Sequence, residues 1–385
     1  MNNFYFHLPT EVYFGKGQIK KLPEILSGLG KKALLVYGGG SIKRSGLYDE
    51  VLSLCKQSGT ELFELSGIDP NPRVESVREG AKICKENDID VVLAAGGGST
   101  IDCAKMIAAA AKSEEDAWEL VIHQDKIKDA LPIVDILTLS ATGSEMDPFA
   151  VISNMKENMK IGVTSELFKP KASIMDPSYT CSVPKNQTAA GTADIMSHIF
   201  ENYFSNVKEG FMQSRMAEAL LKTCIKYGPI AYNDPENYEA RANLMWASSW
   251  AINGLLSSGN EVEWCVHPME HELSAFYDIT HGVGLAILTP RWMEYVLNEN
   301  TLDKFVEYGI NVWGIAPHKE KEEIAKEAIK NTYDFFKGLD IPMTLKEVGI
   351  DETHLEEMAE KVGEIKGAYK PLNKEDMLNI YKMCL

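Results

Sequence analysis

Asp90-Val91-Val92-Leu93-Ala94-Ala95-Gly96-Gly97-Gly98-Ser99-Thr100-Ile101-Asp102-Cys103-Ala104-Lys105-Met106-Ile107-Ala108-Ala109-Ala110-Ala111 decides the fold class. The short apolar run 90–95 reads as a strand that ends directly in glycines. The alanine-rich segment from Thr100 to Ala111 reads as a helix. Strand, glycine turn and helix in succession form the unit of a parallel α/β sheet. The same unit lies upstream, where Lys32-Ala33-Leu34-Leu35-Val36-Tyr37 reads as a buried strand ended by Gly38-Gly39-Gly40-Ser41. A helix is expected from about Ser45 to Ser58, and a strand at Glu61–Leu65. Asp69-Pro70-Asn71-Pro72 reads as a turn, because proline fixes φ and restrains the residue before it. Val74 to Glu86 reads as a helix.

Downstream, Pro132–Thr138 reads as a further strand, followed by Ser140-Ala141-Thr142-Gly143-Ser144-Glu145. A turn at 154–158 joins Phe149–Ile152 to Lys160–Val163, and Ala172–Met175 is the last strand expected. After Pro184 the segments 188–205, 211–228, 238–256, 302–312, 319–337 and 374–382 carry helical periodicity, with no convincing strand. The expected organisation is therefore an α/β, Rossmann-like parallel-sheet domain over 1–183 and an all-helical domain over 184–385.

With 385 residues, 45% hydrophobic and 25% charged, the composition is that of an ordinary soluble protein. A net charge of −17 argues against a nucleic-acid or anionic-membrane partner, either of which requires a basic face. The seven cysteines are scattered with no C-x-x-C pair, so neither a disulfide framework nor a thiolate zinc site is expected. Met1–His7 carries no basic or apolar signal region, and no apolar run is long enough to span a bilayer. A cytoplasmic location is the expectation.

Three of the eight histidines fall in Trp264-Cys265-Val266-His267-Pro268-Met269-Glu270-His271-Glu272-Leu273-Ser274-Ala275-Phe276-Tyr277-Asp278-Ile279-Thr280-His281-Gly282. His267 and His271 stand at i and i+4, so on a helix they share a face. Tyr277–Thr280 is a poor helical run, which places His281 beyond a break, at the start of the next element. Upstream, Asp194 and His198 have the same i,i+4 relation. One aspartate and three or four histidines from three segments suit a divalent metal such as zinc or iron. Each of these histidines could equally be a buried, hydrogen-bonded and inert core residue. The pattern is not that of a zinc protease, since Pro268 follows the first histidine and the glutamate is displaced.

Glycines between a strand and a helix let the backbone approach a pyrophosphate, and the free N–H groups of the helix start favour its charge. Gly97, Gly98 and Ser99 stand at such a place. Asp102, one turn in, could accept hydrogen bonds from cofactor groups. Without a G-x-G-x-x-G pattern, these glycines could also serve only a tight turn. In Gly38-Gly39-Gly40-Ser41 no acid is available for a ribose 2′-hydroxyl. Ser41, Lys43 and Arg44 could meet a phosphate there, or be exposed charges at a helix start.

Through Gly96-Gly97-Gly98-Ser99-x-x-Asp102, Ser140–Glu145, Pro184-Lys185-Asn186-Gln187-Thr188-Ala189-Ala190-Gly191-Thr192-Ala193-Asp194 and the histidine stretch, the chain resembles the iron-containing (group III) alcohol dehydrogenases. Within them it is similar to the butanol dehydrogenase and aldehyde reductase branch. The resemblance spans essentially the whole length. It implies a dehydroquinate synthase-like fold, a dinucleotide-binding domain followed by a helical domain, with the active site in the cleft between them. It implies metal ligands Asp194, His198, His267 and His281, where spacing alone could not choose His267 over His271. His271 then lies beside the metal, for proton relay or cofactor contact. It further implies pyrophosphate contacts from Gly97, Gly98 and Ser99 and cofactor contacts from Asn71, Asp102, Thr138, Thr142, Lys160 and Tyr179. Of these, Lys160 and Tyr179 read from sequence alone would pass as a hairpin lysine and a loop tyrosine.

The expected activity is interconversion of aldehydes and primary alcohols such as butanol with NAD(P)(H), NADP(H) being favoured over NAD(H), and with one Fe(II) or Zn(II). A homodimer is expected, through a Phe4-Tyr5-Phe6 strand. Three rivals are a lyase of the dehydroquinate synthase type, a metal-dependent hydrolase and a non-catalytic metal- or nucleotide-binding protein, the last disfavoured because the whole ligand set is present. The lyase would want a Lys/Arg-rich pocket, whereas Met146, Phe149, Trp264, Phe276 and Tyr277 suggest an apolar surrounding. The hydrolase would turn over without nicotinamide.

Overall fold

The structure is a computed structural model describing residues 1–206 and 210–385. It separates into two compact units. One comprises His7–Val183 and Glu236–Ser249, the other Met1–Phe6, Pro184–Pro235 and Trp250–Leu385. The chain divides at Val183/Pro184, but two short segments belong to the unit that sequence position would not assign them. The helix Tyr238–Ile252 is divided between the units, with 238–249 in one and 250–252 in the other.

In the α/β unit the strands are β1 (Glu11–Phe14), β2 (Lys32–Tyr37), β3 (Glu61–Leu65), β4 (Val91–Gly96), β5 (Ile133–Leu137), β6 (Phe149–Asn154), β7 (Met159–Thr164) and β8 (Ala172–Met175). Six form a parallel sheet in the order β1-β8-β5-β4-β2-β3, and β6 with β7 forms an antiparallel hairpin. Alternate residues of the central strands enter two different cores. Leu34, Val36, Val92 and Ala94 face one, with Ile101, Ala104 and Ala108 of the Gly98–Ala111 helix. Ala33, Leu35, Tyr37, Val91, Leu93 and Ala95 face the other, with Leu22, Leu26, Leu47 and Val51. Both faces are therefore covered, which is why these strands read as unbroken apolar runs instead of alternating ones.

β1 is a strand that the sequence does not announce, being only four residues flanked by polar and glycine positions. Residues 4–6 are not a strand; they belong to the helical unit and carry no regular secondary structure. The helix expected from about Ser45 to Ser58 is present and begins two residues later. Ser41–Arg44 forms one turn, Gly46 turns left-handed at φ 83°, and Leu47–Ser58 follows.

The helical unit is built on Lys185–Tyr203, the Asp194 helix, which is buried continuously from Thr188 to Tyr203. A helix apolar or small on every face belongs in a core, and Ala189, Ala190, Gly191 and Ala193 let neighbours approach closely. Gly282 shows how closely: a Cβ there would collide with the Ala190 carbonyl group. Val266–Tyr277 forms the His267 helix, which stops where Asp278 turns left-handed at φ 51°. The His281 helix then runs from His281 to Val296. Among the described residues the only β feature of this unit is an isolated bridge, Ile365 to Leu372. Among them, too, no helix is long and apolar enough to cross a membrane.

Candidate metal centre and nucleotide-binding edge

Asp194 Oδ1 is the centre of the cluster. His198 Nε2 lies 3.5 Å from it, His281 Nε2 3.7 Å and His267 Nε2 3.8 Å. These separations are too long for hydrogen bonds, and Asp194 Oδ1 and His267 Nε2 are buried without a partner. Four ligands about 2.0–2.2 Å from one tetrahedral ion stand roughly 3.3–3.6 Å apart, so the spacing suits a shared cation better than mutual bonding. The chosen atoms of Asp194, His267 and His281 all lie within 4.8 Å of one another. His198 joins through Asp194 and through its ring, stacked on His267 at 4.7 Å.

The electrostatics agree. Burial pushes the Asp194 carboxyl up, but the imidazoles, His198 foremost, outweigh it and hold the group well below the usual carboxylate range. Burial drives His198 down to about 3, so it is neutral and ready to ligate. Burial lowers His267 as well, yet the carboxylates of Asp194 and Glu201 raise it to about 9. A histidine drawn to hold a proton marks a place that attracts positive charge, which is what a dication supplies. The donor set fits Fe(II) or Zn(II).

His271 is half-buried, its ring 5.7 Å from that of His281 and 6.4 Å from that of His267. Trp264 packs on the cluster, 4.6 Å from the His267 ring and 5.5 Å from that of His198. Phe276 and Tyr277 instead pack around His354.

Sequence reasoning missed two carboxylates. Glu201 Oε1 lies 2.5 Å from His267 Nδ1, and Glu270 Oε2 bonds His281 Nδ1. A signal existed for Glu201. Positions 194, 198 and 201 are i, i+4 and i+7 of one helix face.

The nucleotide candidates gather at one edge of the sheet. Gly38–Ser41, Gly97–Ser99 and Thr138–Thr142 follow the C-terminal ends of β2, β4 and β5, which are neighbours in the sheet. The order reverses between β2 and β4, because β3 lies on one side of β2 and β4 on the other. Open α/β sheets bind ligands at the carboxyl ends of strands beside such a switch point. Gly67 N–H donates to the Gly38 carbonyl and Ile68 N–H to that of Tyr37, which brings the Asn71 turn to the same edge. Asn71 is buried with φ 55°. Lys160, buried on β7, is paired with Ser153, whose N–H donates to Pro72. Tyr179 follows β8 and is packed against the sheet.

Gly98 needs to be glycine, since a Cβ would stand within 3 Å of three atoms of Thr142. Asp102 faces inward, accepting from the Ser144 hydroxyl at 2.6 Å and the Val151 N–H at 2.9 Å. It therefore ties the Gly98–Ala111 helix to the loop that carries Thr142.

The helical unit thus carries a cluster of three histidines and one aspartate, and the α/β unit a sheet edge of glycine turns. Residues 9–177 match the model of the iron-containing alcohol dehydrogenases, and residues 188–385 match that of the Fe-containing alcohol dehydrogenase family, C-terminal. The chain belongs to the iron-containing alcohol dehydrogenase family, and its function is metal-dependent alcohol dehydrogenation and aldehyde reduction. It is 58% identical to the NADH-dependent butanol dehydrogenase A of Clostridium acetobutylicum, over 99% of both chains. It is 38% identical to the NADPH-dependent aldehyde reductase YqhD of Escherichia coli, over 94% of both. A crystal structure of the NADH-dependent butanol dehydrogenase A of Thermotoga maritima superposes with a TM-score of 0.95 at 39% identity, covering 100% of this chain and 99% of that one.

Proposed function

We propose that the protein interconverts butanal-sized aldehydes and primary alcohols, with Asp194, His198, His267 and His281 as the metal ligands. The observation that carries this reading is Asp194 Oδ1, buried, without a hydrogen-bond partner and approached by three imidazole Nε2 atoms. A dication held there supplies Lewis acidity to a substrate oxygen, and a nicotinamide supplies or accepts the hydride. Asp194 provides the one anionic donor, and His198, kept neutral by burial, provides a lone pair without competition from a proton. Trp264 packs against the His198 and His267 rings, which are stacked on each other. The half-buried position of His271 beside His281 supports a role in passing a proton outward.

For the dinucleotide, the proposed contacts are Gly38, Gly39, Gly40, Ser41, Asn71, Gly97, Gly98, Ser99, Asp102, Thr138, Thr142, Lys160 and Tyr179. Asp102 acts there by holding the Thr142 loop, since its oxygens accept from Ser144 and Val151. The expectation of NADP(H) rests on the absence of an acid in 38–41. Glu64, on neighbouring β3, accepts from the hydroxyl of Tyr37, the residue before that turn, at 2.8 Å and from the Tyr48 hydroxyl at 2.7 Å. An acid at this place favours a free 2′-hydroxyl over a 2′-phosphate. Two relatives, 58% and 56% identical, are named NADH-dependent. We therefore propose NAD(H) as the preferred cofactor, with Lys43 over the Tyr37 and Tyr48 rings leaving some activity with NADP(H). Comparing kcat/KM for NADH and NADPH with butanal tests this, and an NADPH preference would refute it. A metal-dependent hydrolase would instead act without either.

A homodimer completes the proposal. Phe4, Tyr5 and Phe6, exposed by 55%, 81% and 39%, support it. Sedimentation at micromolar concentration tests it, and a monomer there would refute it.

A further inference from the structure

Glu201 comes from the same helix as Asp194 and His198, but its carboxylate reaches the start of the His267 helix. Oε2 accepts the N–H of Cys265 at 2.5 Å and of Val266 at 3.1 Å. Oε1 accepts the N–H of His267 at 2.9 Å and lies 2.5 Å from its ring Nδ1. The His267 helix has no side-chain cap at its own N-cap residue, Cys265, so Glu201 takes that part from another helix. Glu270 repeats the arrangement one helix on. Its Oε2 bonds His281 Nδ1, its Oε1 accepts from Ser274, and both oxygens are fully buried with their residue. Gly284 makes room for it: a Cβ there would stand 2.8 Å from Glu270 Cγ and 3.1 Å from Oε1.

A neutral imidazole that donates Nδ1–H to a carboxylate presents a bare Nε2, the form a cation selects. On the ligand set proposed above, which this inference presupposes, those bare nitrogens are the ones facing Asp194. We propose that Glu201 and Glu270 are positioning residues that hold His267 and His281 in the metal-binding tautomer and link the three ligand-bearing helices in series. Carboxylates behind metal-bound histidines fix ring orientation and raise ligand basicity, and their loss costs roughly 10–100-fold in metal affinity.

The two positions differ in a way that can be measured. Both oxygens of Glu201 face N–H donors, so the amide nitrogen of Glu201→Gln confronts donors whichever way it turns. At Glu270 the Ser274 hydroxyl can reverse, accepting from the amide nitrogen of Glu270→Gln while the amide oxygen still receives His281 Nδ1–H. The order of Co(II) affinity should therefore be wild type, then Glu270→Gln, then Glu201→Gln and Glu270→Leu, the last two lower by roughly 10–100-fold. Gly284→Ala displaces Glu270 without removing a charge or a ligand, and should lower affinity as well.

The test is competition of the full-length, chelator-stripped proteins against a chromophoric chelator for Co(II). It is read together with the visible Co(II) spectrum, which reports ligand geometry and not fold stability. Wild-type protein that takes up no Co(II) would overturn the ligand set, and this inference with it. Wild-type uptake of one equivalent with equal affinity in Glu270→Gln, Glu270→Leu and Gly284→Ala would overturn the positioning role alone. Glu270→Leu with weakened binding and an altered spectrum would support it even if Glu201→Gln, having lost a helix cap, fails to fold.

Discussion

Lys105 is wholly buried in the α/β unit, and replacing it with methionine removes the ammonium while keeping most of the stem. The three ammonium hydrogens have three acceptors: Asp147 Oδ1 at 2.7 Å, the Phe149 carbonyl at 2.7 Å and the Asp147 carbonyl at 3.1 Å. Asp147 is 2% exposed, so Lys105→Met strands a buried carboxylate. Breaking one side of a buried pair costs about 3–5 kcal/mol. At roughly 2–4 °C per kcal/mol for a unit of this size, the melting temperature should fall by about 6–20 °C. Lys105 also counteracts the effect of burial on Asp147 and Asp102, both of which are already raised, Asp102 to about 6. The variant should therefore be most damaged above pH 6, where both carboxyls resist ionisation. Removing the second charge in Lys105→Met/Asp147→Asn should recover a good part of the loss, because the asparagine oxygen still accepts the Phe149 N–H. Thermal melts by circular dichroism over pH 5–8 measure all of this. A Lys105→Met melting point within 2 °C of wild type, or a double variant no better than the single one, would refute the reasoning.

Gly98→Ala places a methyl inside Thr142, an overpacking that costs about 1–3 kcal/mol, and it should raise KM for the dinucleotide. Thr142→Ala in the same chain should return much of the stability, and thermal melts with cofactor kinetics would show whether it does. Glu145 is buried, and burial raises its carboxyl to about 7. Its contribution to stability is therefore full below about pH 4.5 and is lost as the pH rises toward 7. Glu145→Gln keeps the acceptor for Ser249 and cannot ionise, so its stability relative to wild type should improve by on the order of 3 kcal/mol between pH 4.5 and 7.5. Urea titrations at the two pH values test this; a constant difference would count against it. Gly282→Ala drives a methyl into the Ala190 carbonyl, and should both destabilise the helical unit and lower its Co(II) uptake.

The sheet can be read from the sequence because β2 and β4 are apolar runs that end directly in glycines, and local chemistry suffices to see that. β1 is hidden from such reading because its four residues take their place by pairing with β8, a partner some 160 positions away. The single turn Ser41–Arg44, parted from Leu47–Ser58 by the left-handed Gly46, is a feature that periodicity does not register. The ligand candidates can be found from i,i+4 spacing, and the left-handed Asp278 explains why His281 opens a new helix. What spacing cannot supply is the choice between His267 and His271. The contact that marks His267 out comes from another helix, where Glu201 meets its Nδ1. Glu64 is hidden for a similar reason, since its bonds to Tyr37 and Tyr48 reach across from β3 to residues far back in the chain.

The central claim is that a cation held by Asp194 and three histidines is what makes the nicotinamide chemistry possible. Butanal-dependent NADH oxidation, followed while Zn(II) or Fe(II) is returned stepwise to chelator-stripped protein with bound metal measured in parallel, tests it most directly. Activity should rise in proportion to metal up to one equivalent per chain, and His267→Ala should lose metal and turnover together. Full turnover by metal-free protein, or by metal-free His267→Ala, would contradict the account.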